Sequence, residues 1–151
     1  MASPTLAENY EIIEEQEPAP EIQQSRLLAK SQRGEFETEV LRAESLLGSQ
    51  DDQEAYYSRE TLERGIAFLK MHMEWIWKSY GTPTPMPAIG PGPRGSADLY
   101  WKTASFELLV NIPASPDDLG TFYGRDYNQQ TAKGSFDPKR FTASIASWLM
   151  M

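Results

Sequence analysis

The chain has 151 residues, no cysteine, a single histidine and a formal net charge of -8. The lack of cysteine excludes a disulfide framework, a zinc-thiolate site, an iron-sulfur cluster and a cysteine nucleophile. His72 is the one histidine, so a site built from two imidazoles is excluded too. An apolar content of 40% suffices for the core of one domain.

The charge is divided unevenly along the chain. Residues 1–54 hold 13 acidic and 4 basic residues, whereas residues 55–151 hold 9 acidic and 10 basic residues and most of the aromatic ones. We therefore predict an acidic, disordered arm, residues 1–34, joined to a single domain, residues 35–151. The N-terminus lacks the pattern of a secretory signal and the chain has no run of about 18 apolar residues, which predicts a cytoplasmic protein that makes no membrane contact.

Two helices are predicted at the start of the domain. Apolar residues at helical spacing indicate a first helix over residues 35–47, and these are Phe36, Val40, Ala43 and Leu47. A further helix within residues 21–32 is an open alternative. A long central helix is predicted over residues 52–80, because Leu62, Ile66, Leu69, Met73 and Ile76 share one face. Gly81 suits a left-handed cap at its end.

A segment rich in proline and glycine, residues 82–95, follows the long helix. Proline breaks helices and cannot donate to a sheet ladder, so we predict an extended, polyproline-like strap. From residue 97 the apolar pattern alternates with period two, which predicts a four-stranded antiparallel meander over residues 97–136. Asp137 before Pro138 predicts a short C-terminal helix, residues 138–150. The predicted fold class is α+β, with the meander packed on the long helix.

Two helices can cover only one face of such a sheet, and the alternation places aromatic side chains on the other. The residues that we assign there as candidate partner-binding residues are Tyr100, Tyr123, Arg125 and Tyr127, beside Leu109. Aromatic side chains with an arginine can anchor a protein partner or stack on bases. The alternative is that helix 35–47 or a second copy of the chain covers this face. The near-neutral charge of residues 55–151 argues against nucleic acid as a direct ligand.

No pattern of a catalytic, metal or cofactor site is found in the sequence. His72 lies among apolar residues without a nucleophile motif, which favours a structural histidine. Acidic residues occur as consecutive pairs rather than at calcium-loop spacing. The loop at residues 90–95 resembles a phosphate loop only in its glycines, because its prolines remove backbone donors. Asp98 and Glu107 could serve as catalytic carboxylates, but solvent-facing strand positions explain them more simply. We therefore predict no enzyme, no metal and no cofactor.

One resemblance rests on three sequence segments: residues 91–102, residues 106–113 and Phe122-Tyr123-Gly124. The sequence resembles a loosely defined group of small bacterial accessory proteins of mobile or defence-type gene cassettes, over roughly residues 60–150. In that group a helix leads through a proline-rich strap into a hairpin and an aromatic-rich second pair of strands. The resemblance implies a shared fold, and it implies no activity and no site residues.

Two functional hypotheses follow from these patterns. The first is a non-enzymatic protein-interaction module, such as an antitoxin, immunity or inhibitory accessory subunit, whose acidic arm and aromatic sheet face bind a protein partner with a basic surface. The second is a homo-oligomeric structural or assembly component of a phage or mobile cassette, whose sheet face or helix 35–47 pairs with its own copy. A simple solvating role for the arm is an equally good account of its charge.

Overall fold

The computed structural model of the chain describes residues 19–48 and 57–151, and over these residues the protein has three helices and five strands. The helices are α1 (Pro20–Ser45), α2 (Arg59–Tyr80) and α3 (Ala143–Leu149), and one 3-10 turn (Leu46–Gly48) follows α1. The strands are β1 (Ala88–Pro91), β2 (Ala97–Lys102), β3 (Phe106–Ile112), β4 (Gly120–Asp126) and β5 (Thr131–Phe136). The predicted α+β class is confirmed. Residues 1–18 of the predicted arm and residues 52–56 of the predicted long helix lie outside the described residues.

Helix α2 is the central packing element. Its first turn is capped by Ser58, whose hydroxyl accepts a hydrogen bond from the backbone N–H of Thr61, and it ends at Gly81 in the left-handed conformation with φ 64°. One face of the helix is buried. The largest buried side chains on that face are Leu62, Phe68, Leu69, Met73 and Ile76. The predicted apolar face and the glycine cap are therefore both present. The start differs from the predicted range 52–80, because Ser58 caps the helix and Tyr57 and Ser58 precede it.

The sheet is a five-stranded antiparallel meander in the order β1-β2-β3-β4-β5. The four predicted strands are present as β2 to β5, but the predicted number is one too low. Part of the predicted strap forms β1, which pairs Ile89 with Leu99 of β2. Strand β1 is an edge strand of four residues, and an edge strand tolerates prolines that a central strand does not. The Trp101 indole donates a hydrogen bond of 2.8 Å to the carbonyl of Pro85, which holds the preceding part of the strap against the sheet.

The core lies between α2 and one face of the sheet, here called the inner face. Leu99, Trp101, Leu108, Val110 and Ile112 are buried there. Strand glycines make room for aromatic rings on the same face: a Cβ on Gly124 would lie 2.6 Å from the Trp148 ring of α3. Gly124 therefore marks a close approach between α3 and the sheet, which is one of the roles that glycine in a strand can indicate.

Helix α1 is longer than the predicted range 35–47 and includes the helix left open within residues 21–32, since it runs unbroken from Pro20 through Gly34 to Ser45. Residues 20–34 therefore form its first half rather than part of a disordered arm. A glycine inside a helix costs about 1 kcal/mol, but contacts on both sides of Gly34 stabilise this one. Gln32 accepts a hydrogen bond of 2.8 Å from the backbone N–H of Thr84, and Glu39 accepts one of 2.8 Å from the N–H of Ile89.

The C-terminal helix is shorter than the predicted range 138–150. Asp137 and Pro138 form a turn in which the Asp137 carboxylate accepts a hydrogen bond of 2.9 Å from the N–H of Lys139. A helix that began at Pro138 would direct the N–H of Thr142 to the Pro138 carbonyl. That N–H instead donates to the Nε2 atom of His72 at 3.0 Å, and α3 begins only after it. A tertiary contact thus overrides a local capping signal.

Candidate partner-binding face

The second face of the sheet, here called the outer face, points away from α2 and α3. Strand register brings large side chains of three strands together on it, because Tyr100 pairs with Leu109 and Leu109 pairs with Tyr123. These three residues are 38%, 37% and 48% exposed, and we call them the Tyr-Leu-Tyr row. Three large side chains side by side and open to solvent form the type of patch on which protein interfaces are centred.

A hydrogen-bonded cluster borders the row on one side. The Tyr100 hydroxyl donates a hydrogen bond of 2.7 Å to one oxygen of Glu107, and Arg125 donates one of 2.5 Å to the other. Lys102 lies 3.9 Å from the same carboxylate. The bond to Glu107 raises the pKa of Tyr100, while the bonds from Tyr100 and Arg125 lower the pKa of Glu107. The cluster therefore holds the Tyr100 ring in place with Glu107 ionised.

A second polar group borders the row on the opposite side. The side-chain amide of Asn111 donates hydrogen bonds of 2.8 Å to Ser96 and 2.8 Å to Asp98. Gly92 lies directly against these three side chains, since a Cβ there would be 2.5 Å from the Ser96 hydroxyl. The end of the strap is thus fitted onto the sheet, and the outer face has polar groups with fixed partners on both sides of an apolar centre.

A shallow depression of about 500 Å³ extends the row toward β5. Leu109 and Tyr123 form part of it, and Lys133 and Ser135 contribute the β5 side. Lys133 pairs with Tyr123 across the strands and so continues the row. Lys133 and Asn111 were not among the predicted site residues, although the alternation of the strands together with the turn positions places both on this face.

Three of the four predicted site residues lie together on the outer face: Tyr100, Tyr123 and Arg125. The fourth, Tyr127, follows the end of β4 in the turn and is 70% exposed. Its backbone N–H donates to the carbonyl of Ser105, which ties this turn to the one between β2 and β3. Asp98 and Glu107 do not approach one another across the strands, because Asp98 pairs with Asn111 and Glu107 pairs with Lys102.

His72 is fully buried and both of its ring nitrogens are bonded to backbone groups. Nδ1 lies 2.8 Å from the carbonyl of Phe68, and Nε2 accepts from the N–H of Thr142 at 3.0 Å. Nε2 therefore carries no proton, and the ring is the neutral tautomer with the proton on Nδ1. Burial lowers the pKa of His72, and the bond from Nδ1 to the Phe68 carbonyl partly opposes this effect. The Phe141 ring stacks on the imidazole, and backbone hydrogen bonds occupy both ring nitrogens.

Two further observations concern the described residues as a whole. Their His, Asp and Glu side chains nowhere form a group of three that could hold a metal ion. None of the helices in residues 19–48 and 57–151 is both long and apolar enough to cross a membrane.

Comparison with known proteins gives no match to a family model, to a curated protein or to a solved structure. The resemblance to bacterial accessory proteins thus stays a prediction.

Proposed function

We propose that this protein is a non-enzymatic interaction module that binds a protein partner through the outer face of its sheet, as an antitoxin, immunity or inhibitory accessory subunit would. The observation that supports this proposal most is the Tyr-Leu-Tyr row, an exposed apolar centre with ordered polar groups on either side. Tyrosine and arginine are enriched at protein interfaces, where an apolar centre with a polar rim is typical.

The charges of the outer face favour a protein over nucleic acid as its ligand. Its strands carry Asp98 and Glu107 against Lys102, Arg125 and Lys133, so the face is close to neutral. Arg125 is bonded to Glu107 and is not free to meet a phosphate. Binding to nucleic acid depends on unpaired cations that displace counterions, and this face offers few of them.

The acidic N-terminal residues are part of the proposal, because their charge would favour association with the partner. Residues 1–18 contain five acidic and no basic residues, a charge that steers a partner with a basic surface toward the protein. Replacing these five glutamates by glutamine leaves α1 intact, whereas a truncation at residue 34 would remove the contact from Gln32 to Thr84. The glutamine variant should associate more slowly and lose most of its salt dependence. An unchanged salt dependence would exclude this contribution.

Site-specific photo-crosslinking in the cells that naturally produce the protein tests the binding face. A photoreactive amino acid replaces Tyr123 in one variant and Leu119, which is 60% exposed in the loop before β4, in a control variant. We expect a discrete adduct from position 123 that is lost when Tyr100 and Leu109 are also changed to alanine. Position 119 should give none. Equal adducts from both positions, or no adduct from position 123, would contradict the proposal.

Self-association is the second candidate function, and one feature of the sheet favours it. Strand β5 is the outermost strand next to β4, and its residues from Thr131 to Ser135 are exposed. The register leaves one side of its backbone without a partner strand among the described residues, and such an edge can pair with a second copy. Light scattering over a hundredfold range of concentration separates the candidates, because a monomer throughout excludes self-association.

A further inference from the structure

A groove lies between α1 and α2, and residues of both helices line it. Its floor is apolar and is formed by Phe36 of α1 with Met73 and Trp77 of α2. Gln32 forms part of the wall, and its bond to the backbone of Thr84 fixes that side chain in place. The groove has a volume of about 290 Å³, so it is a preformed apolar site of small size.

The rim of the groove is cationic. Arg33, Lys70 and Lys78 line it, and Glu74 is the one acidic residue among the described residues that line the groove. None of the three cations takes part in a salt bridge with a carboxylate of the described residues. A local excess of two positive charges is notable in a chain whose net charge is -8. Lysine and arginine side chains can lay their apolar stems along a ligand while their charged ends meet an anion.

We propose that this groove binds a small anionic amphiphile, with a medium-chain fatty acid as the chemical class. The alkyl chain would lie on Phe36, Met73 and Trp77, and the carboxylate would meet Arg33, Lys70 and Lys78. The volume favours a small molecule over a folded partner, because pockets for small ligands begin at about 300 Å³. The cationic rim selects the carboxylate over a neutral or cationic head group.

The test is a titration of the full-length protein with decanoate below its micelle concentration, followed by the NMR signal of the Met73 methyl group. We expect a saturable shift with decanoate and no shift with acetate or with decyltrimethylammonium. The variant Lys70→Glu/Lys78→Glu should bind about tenfold more weakly, since each exposed ion pair contributes a few-fold and both charges are reversed. A matched variant, Arg59→Glu/Lys139→Glu, changes the net charge equally on exposed residues outside the groove and should bind as the parent does.

Three results would overturn the proposal. Equal binding of decyltrimethylammonium would show that the rim does not select the charge. An equal loss in the two charge variants would show a general effect of net charge rather than of this groove. Tighter binding of a synthetic peptide with the sequence of residues 1–18, which is acidic and contains apolar residues, would make the groove a docking surface for a protein segment. Thermal melting of each variant confirms that it is folded before its binding is compared.

Discussion

The two faces of the sheet differ most clearly in two consecutive leucines of β3. Leu108 is fully buried between the sheet and the helices, whereas Leu109 is 37% exposed in the centre of the Tyr-Leu-Tyr row. Both residues are leucines of the same strand. Their difference in exposure therefore comes from the helical layer, which covers only one face of the sheet. The inner face therefore supplies stability, and the outer face leaves apolar area exposed, which the proposed function assigns to a partner. If this division of roles holds, substitutions on the inner face should cost more stability than substitutions on the outer face.

The largest effect is expected when the two leucines are exchanged for alanine one at a time. Leu108→Ala leaves a cavity in the core and should lower the free energy of unfolding by about 2–5 kcal/mol. Leu109→Ala removes a partly exposed side chain and should change it by less than about 1 kcal/mol. Urea denaturation followed by circular dichroism measures both. Similar losses for the two variants would mean that the outer face is covered in solution.

A smaller effect is expected at the contact between α3 and the inner face. Gly124→Ala places a Cβ where the Trp148 ring lies at 2.6 Å, so the ring must move and the protein should lose about 1–3 kcal/mol. Gly90→Ala in β1 is the matched control, because a Cβ there meets nothing within 4 Å. The same denaturation experiment applies. Equal stability of the two variants would show that α3 does not pack closely on the sheet.

The pH dependence of stability should report on His72. Burial lowers its pKa in the folded protein, so the unfolded chain binds a proton first as the pH falls. Stability should therefore decrease below about pH 6.5, by at most about 1.4 kcal/mol per pH unit for one proton. The variant His72→Gln should be less stable overall but flat between pH 5.5 and 7.5, since the chain has no second histidine. A slope retained in the variant would assign the effect to other groups.

The smallest effect concerns the edge of the sheet at β1. Glu39 accepts the N–H of Ile89, Arg42 donates to the carbonyl of the same residue, and the two side chains pair with each other. Although burial opposes it, these bonds lower the pKa of Glu39. Glu39→Ala should cost about 1 kcal/mol through the lost hydrogen bond, and Glu39→Gln, which keeps an acceptor oxygen, should cost less. A pH titration should show this contribution disappearing only below the usual pKa of glutamate.

Residue spacing predicted those parts of the fold that depend on interactions between residues close in sequence. The cap at Gly81, the alternation in the strands and the buried face of α2 could all be predicted from spacing alone. Strand β1 could not, because a segment with Pro87 and Pro91 becomes a strand only through its pairing with β2 and its bonds to α1. The start of α3 depends on His72, which is 70 residues away from Thr142. For the candidate site, alternation predicted the members of the row, but only the folded chain shows which layer leaves them exposed.

The bonds from α1 to the strap have a consequence for how the molecule opens. The amides of Thr84 and Ile89 are held by side chains of a helix, so their protection from hydrogen exchange depends on that helix rather than on the sheet alone. Helix α1 cannot separate from the body without releasing both amides. The N-terminal helix and the first strand therefore form one cooperative opening unit. They do so although they are distant in sequence and differ in secondary structure.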